Sequence, residues 1–555
     1  MLAMRTASDH TSAEQLRGLK DRLLKLIDVY NRSPLGVNNP IDIAEILAKL
    51  KGMLSDHASD QKRLAELIEN LKRDVDWERR GRDALATLTN IEFVLFLQGY
   101  MEQCIHEAGG IHAWELLDER ERTTRAEHTR VVALRQLGQT HFAKLSAEEQ
   151  RWVDLFIWAG CGMHKEMNAF KWGAREMKEW SSSDEAVESG AVPPLLLFNK
   201  DNAAAVADKT ASTSKARAEA VSTGGGIKTT ELAGAYLRHK NSKKGQQDHY
   251  RWFFQVTLGY IVQFPDTSNT RFGTFGEGAA ELLVHLDIYL EFLLIVRDTK
   301  ESGDFNHLEE NLHKALCDPP TLTELAVLTL YSQAISHPYM HYIRTADNAL
   351  LLGPYHNHVL LHCQALLDDP TILLSTQSDA YSMATLDGQN WEHPEAVYAV
   401  HRLHQDDRLP FLQPVLRTFL RGALKGWKRF MTEFAPGGRI ATATAAELEA
   451  TASDAANDLS EGSFGWFRDG RHSKPSMTLE SWNAKTVHKF NNTDTWETAA
   501  LENTPSLSTF VRKEGRVLVS AVQERAAHAE HVESMKRKQV QLVEDRVAKR
   551  LRDDE

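Results

Sequence analysis

The sequence predicts a mainly α, multi-helical protein with a small, incomplete β element near residues 150–265. Apolar residues recur at helical spacing over most of the chain. Glycine and proline, which interrupt helices, number only 32 and 16 in 555 residues. Apolar residues make up 42 % and charged residues 26 % of the chain, which is an ordinary globular composition.

The length predicts more than one packed unit, because a single hydrophobic core stops growing at about 250–300 residues. Changes in composition and in apolar periodicity along the chain suggest where one unit ends and the next begins. We predict an N-terminal helical region at residues 1–150, a segment with the β element at 151–265, a helical subdomain at 266–440, a motif-bearing segment at 441–510 and a charged helical tail at 511–555.

The first region reads as a series of helices with apolar stripes. They are predicted at residues 13–30, 41–54, 62–82, 88–105 and 120–135. The fourth is the most apolar, so we expect it to be buried. The fifth is charged on nearly all sides, which is typical of a solvated or bridging helix.

Residues 195–198 are one of the few plausible strands, followed by a helix from residue 202. Residues 211–229 are rich in Ser, Thr, Ala and Gly, so we predict a linker or flexible loop there. The richest apolar run, residues 282–296, is interrupted by His285, Asp287 and Glu291. It falls short of the roughly 18 consecutive apolar residues of a membrane helix, so we predict a core helix and no membrane partner.

The formal charge of −12 argues against a histone-like nucleic-acid coat, but it leaves room for a local basic groove. Four cysteines lie far apart and form no CxxC pair. This spacing is typical of free thiols in a reducing compartment. With no apolar signal segment at the N-terminus, we expect a soluble intracellular protein.

Histidines recur at helical spacing in the second half of the chain. His337 and His341 stand four residues apart, as do His358 and His362, which precede Cys363. Each pair shares a helix face that a metal could bridge. No acidic residue completes an HExxH signature, so hydrogen bonding within a helical core is the favoured interpretation. Cys161 and His164 could supply two soft ligands, whereas structural zinc needs four.

A basic run, RHKNSKK, precedes Tyr250, Trp252 and Phe253. Its candidate DNA contacts are Arg238, Lys240, Lys243 and Lys244; the alternative is a solvated surface. Two further basic clusters, at residues 536–538 and 549–552, fit a bipartite nuclear-import signal. We therefore expect a nuclear protein, with a cytoplasmic location and a charge-balanced terminal helix as the alternative.

Three segments resemble a group of transposon-derived proteins of mushroom-forming fungi. They are residues 154–173 with 193–206, residues 264–293 and residues 456–486. The first and third also resemble RNase H-like transposases of the P-element and hAT type. The resemblance covers the chain from Asp154 onward and implies an incomplete RNase H-like β element with a large helical insertion.

Two short motifs carry this resemblance. The D-x-x-E-x-x-F-G-x-x-R pattern is matched by Asp458, Glu461, Phe464, Gly465 and Arg468, and it implies that Glu461 is the last metal-binding acid. The C/D-x-x-H-x-x-N pattern near the second acid is matched by Cys161, His164 and Asn168. Thr270 and Arg271, followed by Glu277, are similar to the start of the hAT insertion.

The carboxylate set that such chemistry needs is incomplete. Two Mg²⁺ or Mn²⁺ ions require hard oxygen ligands from several acids. Residues 160–162 are Gly-Cys-Gly where the family has an aspartate, and no strand before residue 150 bears the first acid. The metal set available is Asp154, Cys161, His164 and Glu461. The alternative for Glu461 is a helix-start residue favoured by the helix dipole.

We therefore expect a transposase-derived nuclear protein that binds DNA and lacks full catalysis. Two alternatives stay open. One is an α-helical scaffold that binds another protein through its helical faces. The other is an active divalent-metal-dependent nuclease or strand transferase, which would use Mg²⁺ or Mn²⁺ as its cofactor.

Overall fold

The computed structural model describes residues 11–207, 212–238, 246–267, 273–501, 504–518, 533, 536–537 and 540–541. Of these residues, 74 % are helical and 2 % lie in strands, so the predicted mainly α fold class is confirmed. The chain divides into two compact units. Unit 1 comprises Met1–Met53, Ala58–Phe156 and Asp458–Glu555, and unit 2 comprises Leu54–His57 and Ile157–Asn457.

Unit 1 begins with seven helices and the first half of strand β1, whose Leu54 and Ser55 belong to unit 2. These are α1 (Ser12–Arg32), α2 (Ile43–Lys49), β1 (Gly52–Ser55), α3 (Ser59–Leu85), α4 (Asn90–Glu107), α5 (Ile111–Leu116), α6 (Glu119–Phe142) and α7 (Ala147–Val153). Leu23, Ala44, Leu47 and Val75 from α1, α2 and α3 form a buried apolar cluster. The predicted helix at residues 41–54 is shorter than expected, because the chain becomes extended at Gly52.

Helix α4 corrects the expectation that its apolar sequence is buried. Ile91 is 75 % exposed, Val94 60 % and Leu95 61 %. The packed side of the helix carries Cys104, which is buried, and Tyr100, whose hydroxyl donates to Ala126 O of α6. The apolar sequence predicted that other elements pack around this helix. Within the described part of the chain, its packed side is the one that carries Tyr100 and Cys104.

Unit 2 is an assembly of helices with short strands. Its elements are β2 (Ile157–Gly160), α8 (Gly162–Trp180), α9 (Asp184–Glu188), β3 (Leu196–Leu197), α10 (Lys200–Ala207), α11 (Ser212–Val221), β4 (Thr223–Gly224), α12 (Gly225–Leu237), α13 (Gln247–Leu258), α14 (Thr274–Val284), α15 (Leu286–Asp298), α16 (His307–Cys317), α17 (Pro319–Tyr331), a π-helix (Ser332–Ser336), α18 (His337–Thr345), a 3-10 helix (Ala349–Leu351), α19 (Gly353–Asp368), a 3-10 helix (Pro370–Leu374), α20 (Tyr381–Ala384), α21 (Pro394–Gln405), α22 (Leu412–Phe430), a 3-10 helix (Thr432–Phe434), α23 (Arg439–Thr442) and α24 (Ala445–Ala450).

Helix α17 is the centre of unit 2. Every residue from Thr321 to Tyr331 is buried, and the helix packs against α12, α14, α16, α21 and α22. The buried π-helix Ser332–Ser336 joins it to α18 without a break. The apolar run 282–296 is confirmed as a core segment, although His285 divides it between α14 and α15.

The structure contains two two-stranded sheets in the described residues, β1–β2 and β3–β4. Beside β2, the N–H of Cys161 donates to Ser55 O at 2.8 Å. The strand predicted at 195–198 is confirmed, since Leu196 and Leu197 pair antiparallel with β4. These strands do not test the RNase H-like relationship, which stays a prediction.

Residues 212–229 are not the loop that the sequence predicted; residue 211 lies outside the described residues. They form α11, β4 and the first turn of α12. Alanines favour the helix α11, and the glycines permit a tight entry into α12. Gly225 has φ +82°, and a Cβ there would lie 2.0 Å from the buried Glu324 carboxylate. The N–H of Gly226 donates to Glu324 Oε2 at 2.7 Å, so this turn closes around an acid of α17.

The chain returns to unit 1 for its last elements. These are α25 (Asp458–Ser473), α26 (Leu479–Phe490), α27 (Thr493–Trp496), a π-helix (Glu497–Leu501) and α28 (Pro505–Leu518). The predicted charged helix at 511–555 is helical where it is described, to Leu518 and at residues 533, 536–537 and 540–541. The basic cluster at 549–552 and Lys538 lie outside the described residues. Among the described helices, none has the length and apolarity needed to cross a bilayer.

Candidate functional site

The four residues of the predicted metal set lie in different surroundings. Asp154 ends α7 in unit 1, where Arg73 Nε lies 3.6 Å from its carboxylate. Cys161 precedes α8 in unit 2 and is fully buried, and burial raises the pKa of its thiol. His164 lies on the first turn of α8 and is half-buried. Within the described ranges, no three His, Cys, Asp or Glu side chains are grouped to hold a metal ion.

Glu461 lies in the first turn of α25 in unit 1, together with Asp458, and is exposed. A carboxylate in this position is favoured by the partial positive charge of the helix start. This position agrees with the helix-start alternative. Its role as a metal-binding acid stays a prediction.

Three of the recurring histidines of unit 2, His356, His358 and His362, hydrogen-bond within the helical core. His358 Nε2 lies 2.9 Å from Leu386 O and His362 Nε2 lies 3.1 Å from Ala384 O, so the two histidines join α19 to the end of α20 and to the residues just after it. His356 Nε2 lies 3.0 Å from the hydroxyl of Tyr339, and burial lowers the pKa of His356 to about 3. Because His358 and His362 already have partners, the structural interpretation is the better one for that pair. His337 Nε2 is buried without a hydrogen-bond partner among the described residues, so the hydrogen-bonding interpretation is not extended to His337 and His341.

The basic run predicted to contact DNA is only partly described. Arg238 ends α12, and its guanidinium donates to Phe264 O at 3.0 Å. Lys240, Lys243 and Lys244 lie outside the described residues. Arg238 therefore has a structural contact, and the role of the three lysines stays a prediction.

A buried ion pair fixes the beginning of α8 to the end of α22. The Lys165 ammonium lies 2.6 Å from Glu433 Oε1, with the two side chains 1 % and 6 % exposed. Lys165 also donates to Gly160 O and lies 5.5 Å from the ring centre of Phe434. His57 Nε2 lies 3.6 Å from the same Glu433 oxygen. The cluster is enclosed, and it therefore orients these two helices.

Helices α8 and α22 pack antiparallel, with glycines where their backbones approach each other. A Cβ at Gly422 would lie 2.5 Å from Trp172 O, and one at Gly426 would lie 2.7 Å from the Cα of Ala169. Phe170 and Phe419 fill the buried side with their rings 5.4 Å apart. Any larger residue at the two glycines would separate the backbones, so the pair is a rigid two-helix platform.

The solvent side of this platform is strongly basic, and we name it the α8–α22 face. Its eight cations are Lys171, Arg175 and Lys178 of α8 and Arg417, Arg421, Lys425, Lys428 and Arg429 of α22. Arg421 is half-buried and the other seven are exposed. The solvent-facing acids of the two helices are Glu176 and Glu179, so eight cations less two carboxylates give a charge of +6. This surplus belongs to a chain whose total is −12.

Two contacts at the seam place cations of α22 beside the half-buried Glu176 and Trp172 of α8. Lys425 Nζ lies 2.6 Å from Glu176 Oε1. The guanidinium of Arg429 lies 5.6 Å from the ring centre of Trp172. Arg417, Arg421 and Lys425 stand at successive turns of α22 and therefore form one row along this side of the helix.

Six of the eight cations have no carboxylate within 4 Å in the part of the chain that is described, and five of these also lack the ring contact that Arg429 makes. They are Lys171, Lys178, Arg417, Arg421 and Lys428. A solvated cation without a partner in the protein does not lower the free energy of unfolding appreciably, and it is available to bind an external anion. The face therefore has the chemistry of a site for a polyanion.

The sequence contains a signal for part of this face. Arg417, Arg421, Lys425 and Arg429 recur every fourth residue between apolar positions, which is the pattern of a helix with one basic side. Lys165 also stands in line with Ala169, Gly173 and Met177, the buried stripe of α8. The pairing of α8 with α22 joins residues about 250 positions apart, and no local pattern indicates it.

Comparison of the chain with protein-family models, with curated proteins and with solved structures finds no match. The resemblance to transposon-derived proteins accordingly stays a prediction.

Proposed function

We propose that the protein binds double-stranded DNA, without reading its sequence, through the α8–α22 face. The observation that carries this proposal is the concentration of eight cations on one rigid two-helix surface of an acidic protein. Phosphate neutralisation by Lys and Arg supplies most of the affinity of sequence-independent DNA binding.

The dimensions of the face suit a duplex backbone. Arg417 and Arg429 are twelve residues apart on α22, which corresponds to about 18 Å along the helix axis. Duplex DNA carries one charge per about 1.7 Å of its axis, so a row of this length passes several phosphates. Two neighbouring rows can follow the backbone over a surface that needs no rearrangement.

Double-stranded rather than single-stranded nucleic acid is the better match. Proteins that bind single strands without sequence preference use exposed aromatic rings on which bases stack. The aromatic side chain at the seam, Trp172, is half-buried and lies beside Arg429. The cations of the face therefore offer phosphate contacts and no stacking platform.

This proposal retains DNA as the partner that the transposase resemblance implies, and it moves the contact surface away from residues 238–244. It also requires no carboxylate site, so it is compatible with a transposase-derived chain that lacks catalysis.

The test measures the binding of a labelled duplex of about 20 base pairs by fluorescence anisotropy at several salt concentrations. If five cations contact phosphates, log Kobs should fall with log[salt] with a slope of about −4 to −5. The triple variant Lys171→Glu, Arg417→Glu, Lys428→Glu should reduce the slope by about 3 and the affinity by more than tenfold. All three side chains are exposed, so the fold should be preserved, which circular dichroism can verify.

The matched control is Lys20→Glu, Lys25→Glu, Lys49→Glu, which changes the net charge equally on exposed helix positions of unit 1. An equal loss of affinity in both triple variants would show that DNA binding depends on the net charge of the protein and not on the α8–α22 face, and it would overturn the proposal. The variant Lys243→Glu, Lys244→Glu tests the basic run. Loss of binding in that variant alone would return the interface to residues 238–244, and tighter binding of single-stranded DNA would exclude the duplex.

A further inference from the structure

Helix α4 is a well-defined helix with clear beginning and end. Thr89 and Glu92 form a capping box, in which the Thr89 N–H donates to the Glu92 carboxylate at 2.8 Å. The helix ends before Gly109 and Gly110, whose φ values are +94° and +108°. These caps satisfy backbone groups at both ends, so they favour the helical conformation of the segment.

Most apolar side chains of α4 face solvent. Their exposures are 75 % for Ile91, 40 % for Phe93, 60 % for Val94, 61 % for Leu95, 41 % for Leu97 and 42 % for Met101. Phe93 and Leu97 lie on the helix face that also carries Tyr100 and Cys104. The other four side chains, with roughly 100 Å² exposed each, leave an apolar surface on the order of 400 Å². Patches of this size on a single protein are frequently interaction sites.

The exposed residues form a stripe with the spacing of a helix-binding surface. Ile91, Val94 and Leu95 lie on one face at spacings of three and four, and Met101 continues it seven residues after Val94. One edge of α4 is occupied, because Tyr100 and Cys104 contact α6 or are buried. The stripe lies away from that edge and is available to another chain.

The charges on α4 indicate which partner fits. The helix carries Glu92, Glu102 and Glu107 and contains neither Lys nor Arg. If two copies paired through this helix, carboxylates would face carboxylates in the parallel and the antiparallel orientation, which is unfavourable. The same acids would favour a partner whose apolar surface is bordered by cations.

We propose that α4 is a docking site for an amphipathic helix of another protein, with an apolar stripe bordered by Lys and Arg. Binding buries the stripe of α4 against the partner's stripe, and Glu92 and Glu102 pair with the bordering cations. This interface belongs to unit 1 and is independent of DNA binding by the α8–α22 face.

The test uses two synthetic helical peptides with the same pattern of leucines, one with lysines and one with glutamates at the remaining positions. Isothermal calorimetry with the full chain should show that the lysine peptide binds at least about tenfold more tightly than the glutamate peptide. The variant Ile91→Ser, Leu95→Ser should lose about tenfold in affinity for the lysine peptide. The matched control Leu351→Ser, Leu361→Ser, at positions 61 % and 71 % exposed, should bind as the unaltered protein does.

Three outcomes would overturn the proposal. Equal affinity for the two peptides would remove the role of the acids. Equal weakening in the control variant would show that the peptide binds exposed leucines in general. If sedimentation shows a dimer that Ile91→Ser, Leu95→Ser dissociates, the occupant of the stripe is a second copy of the chain.

Discussion

The ammonium of Lys165 and the carboxylate of Glu433 meet in a site closed to solvent, 2.6 Å apart, where α8 begins and α22 has just ended. Burial alone would raise the pKa of Glu433, but Lys165 and His57 outweigh it and lower the pKa to about 2. The carboxylate is therefore charged over the whole pH range in which the protein would be handled. Its stabilising contribution is complete above pH 4.5 and is lost as the pH falls towards 2.

Removing one partner of this pair should destabilise unit 2 strongly. Lys165→Met leaves the buried Glu433 carboxyl group without its ammonium partner, and the loss of a partner from a buried pair costs about 3–5 kcal/mol. Urea denaturation followed by tryptophan fluorescence measures the change. The exposed Lys171→Met should change the free energy of unfolding by less than about 0.5 kcal/mol. Most of the lost stability should return in the double variant Lys165→Met, Glu433→Leu; a double variant as unstable as the single one would contradict the pairing argument.

Glu166 should make the stability depend on pH near neutrality. It is buried, it accepts a hydrogen bond from Ser336 at 2.5 Å, and burial raises its pKa from 4.5 to about 7. An acid whose pKa is raised in the folded state favours folding when it is protonated, so stability declines as the pH rises from 4.5 to 7.

Glu166→Gln mimics the protonated acid and should remove this decline. The variant and the unaltered protein should have similar stability at pH 5, and the variant should be more stable by roughly 1–3 kcal/mol at pH 8. Thermal denaturation at the two pH values measures the difference. An equal effect of the substitution at both values would show that Glu166 does not titrate in this interval.

Metal binding can be tested at the acid that the resemblance singles out. Glu461 is exposed in the first turn of α25, so we expect Glu461→Ala to leave Mn²⁺ binding unchanged in calorimetry. The substitution should cost about 0.3–1 kcal/mol of stability, because it removes a favourable charge from the helix start. Tight Mn²⁺ binding that disappears in Glu461→Ala would instead restore the predicted carboxylate site and lead to nuclease assays.

Local patterns predicted the helices well, because their evidence lies within a few residues. The stripe of residues 13–30 corresponds to α1, and the interrupted run 282–296 corresponds to the core helices α14 and α15. Composition was a weaker guide: the Ser-, Thr- and Gly-rich segment 211–229 predicted a loop, yet its alanines support α11 and its glycines close around Glu324.

Properties that depend on distant contacts were not predictable in this way. The apolar sequence of α4 indicates burial, but exposure is decided by which elements happen to pack there. The basic positions of α22 can be read from the sequence. That α22 packs against α8 cannot, because it depends on contacts of Gly422 and Gly426 with residues of α8 that are distant in the sequence. The predicted DNA contacts at residues 240–244 lie outside the described residues, and that prediction stays open.

The π-helix Ser332–Ser336 has a consequence for the register of everything after it. A π-turn holds one residue more than an α-turn, which rotates the following helix by about 100° relative to an uninterrupted one. This rotation turns Tyr339 towards His356 and Trp427, with its hydroxyl 3.0 Å from His356 Nε2 and its ring 4.8 Å from that of Trp427. Deleting Ala334 would give a continuous α-helix of better local geometry, but it would turn Tyr339 away from His356 and Trp427. The packing of α18 therefore depends on a single inserted residue.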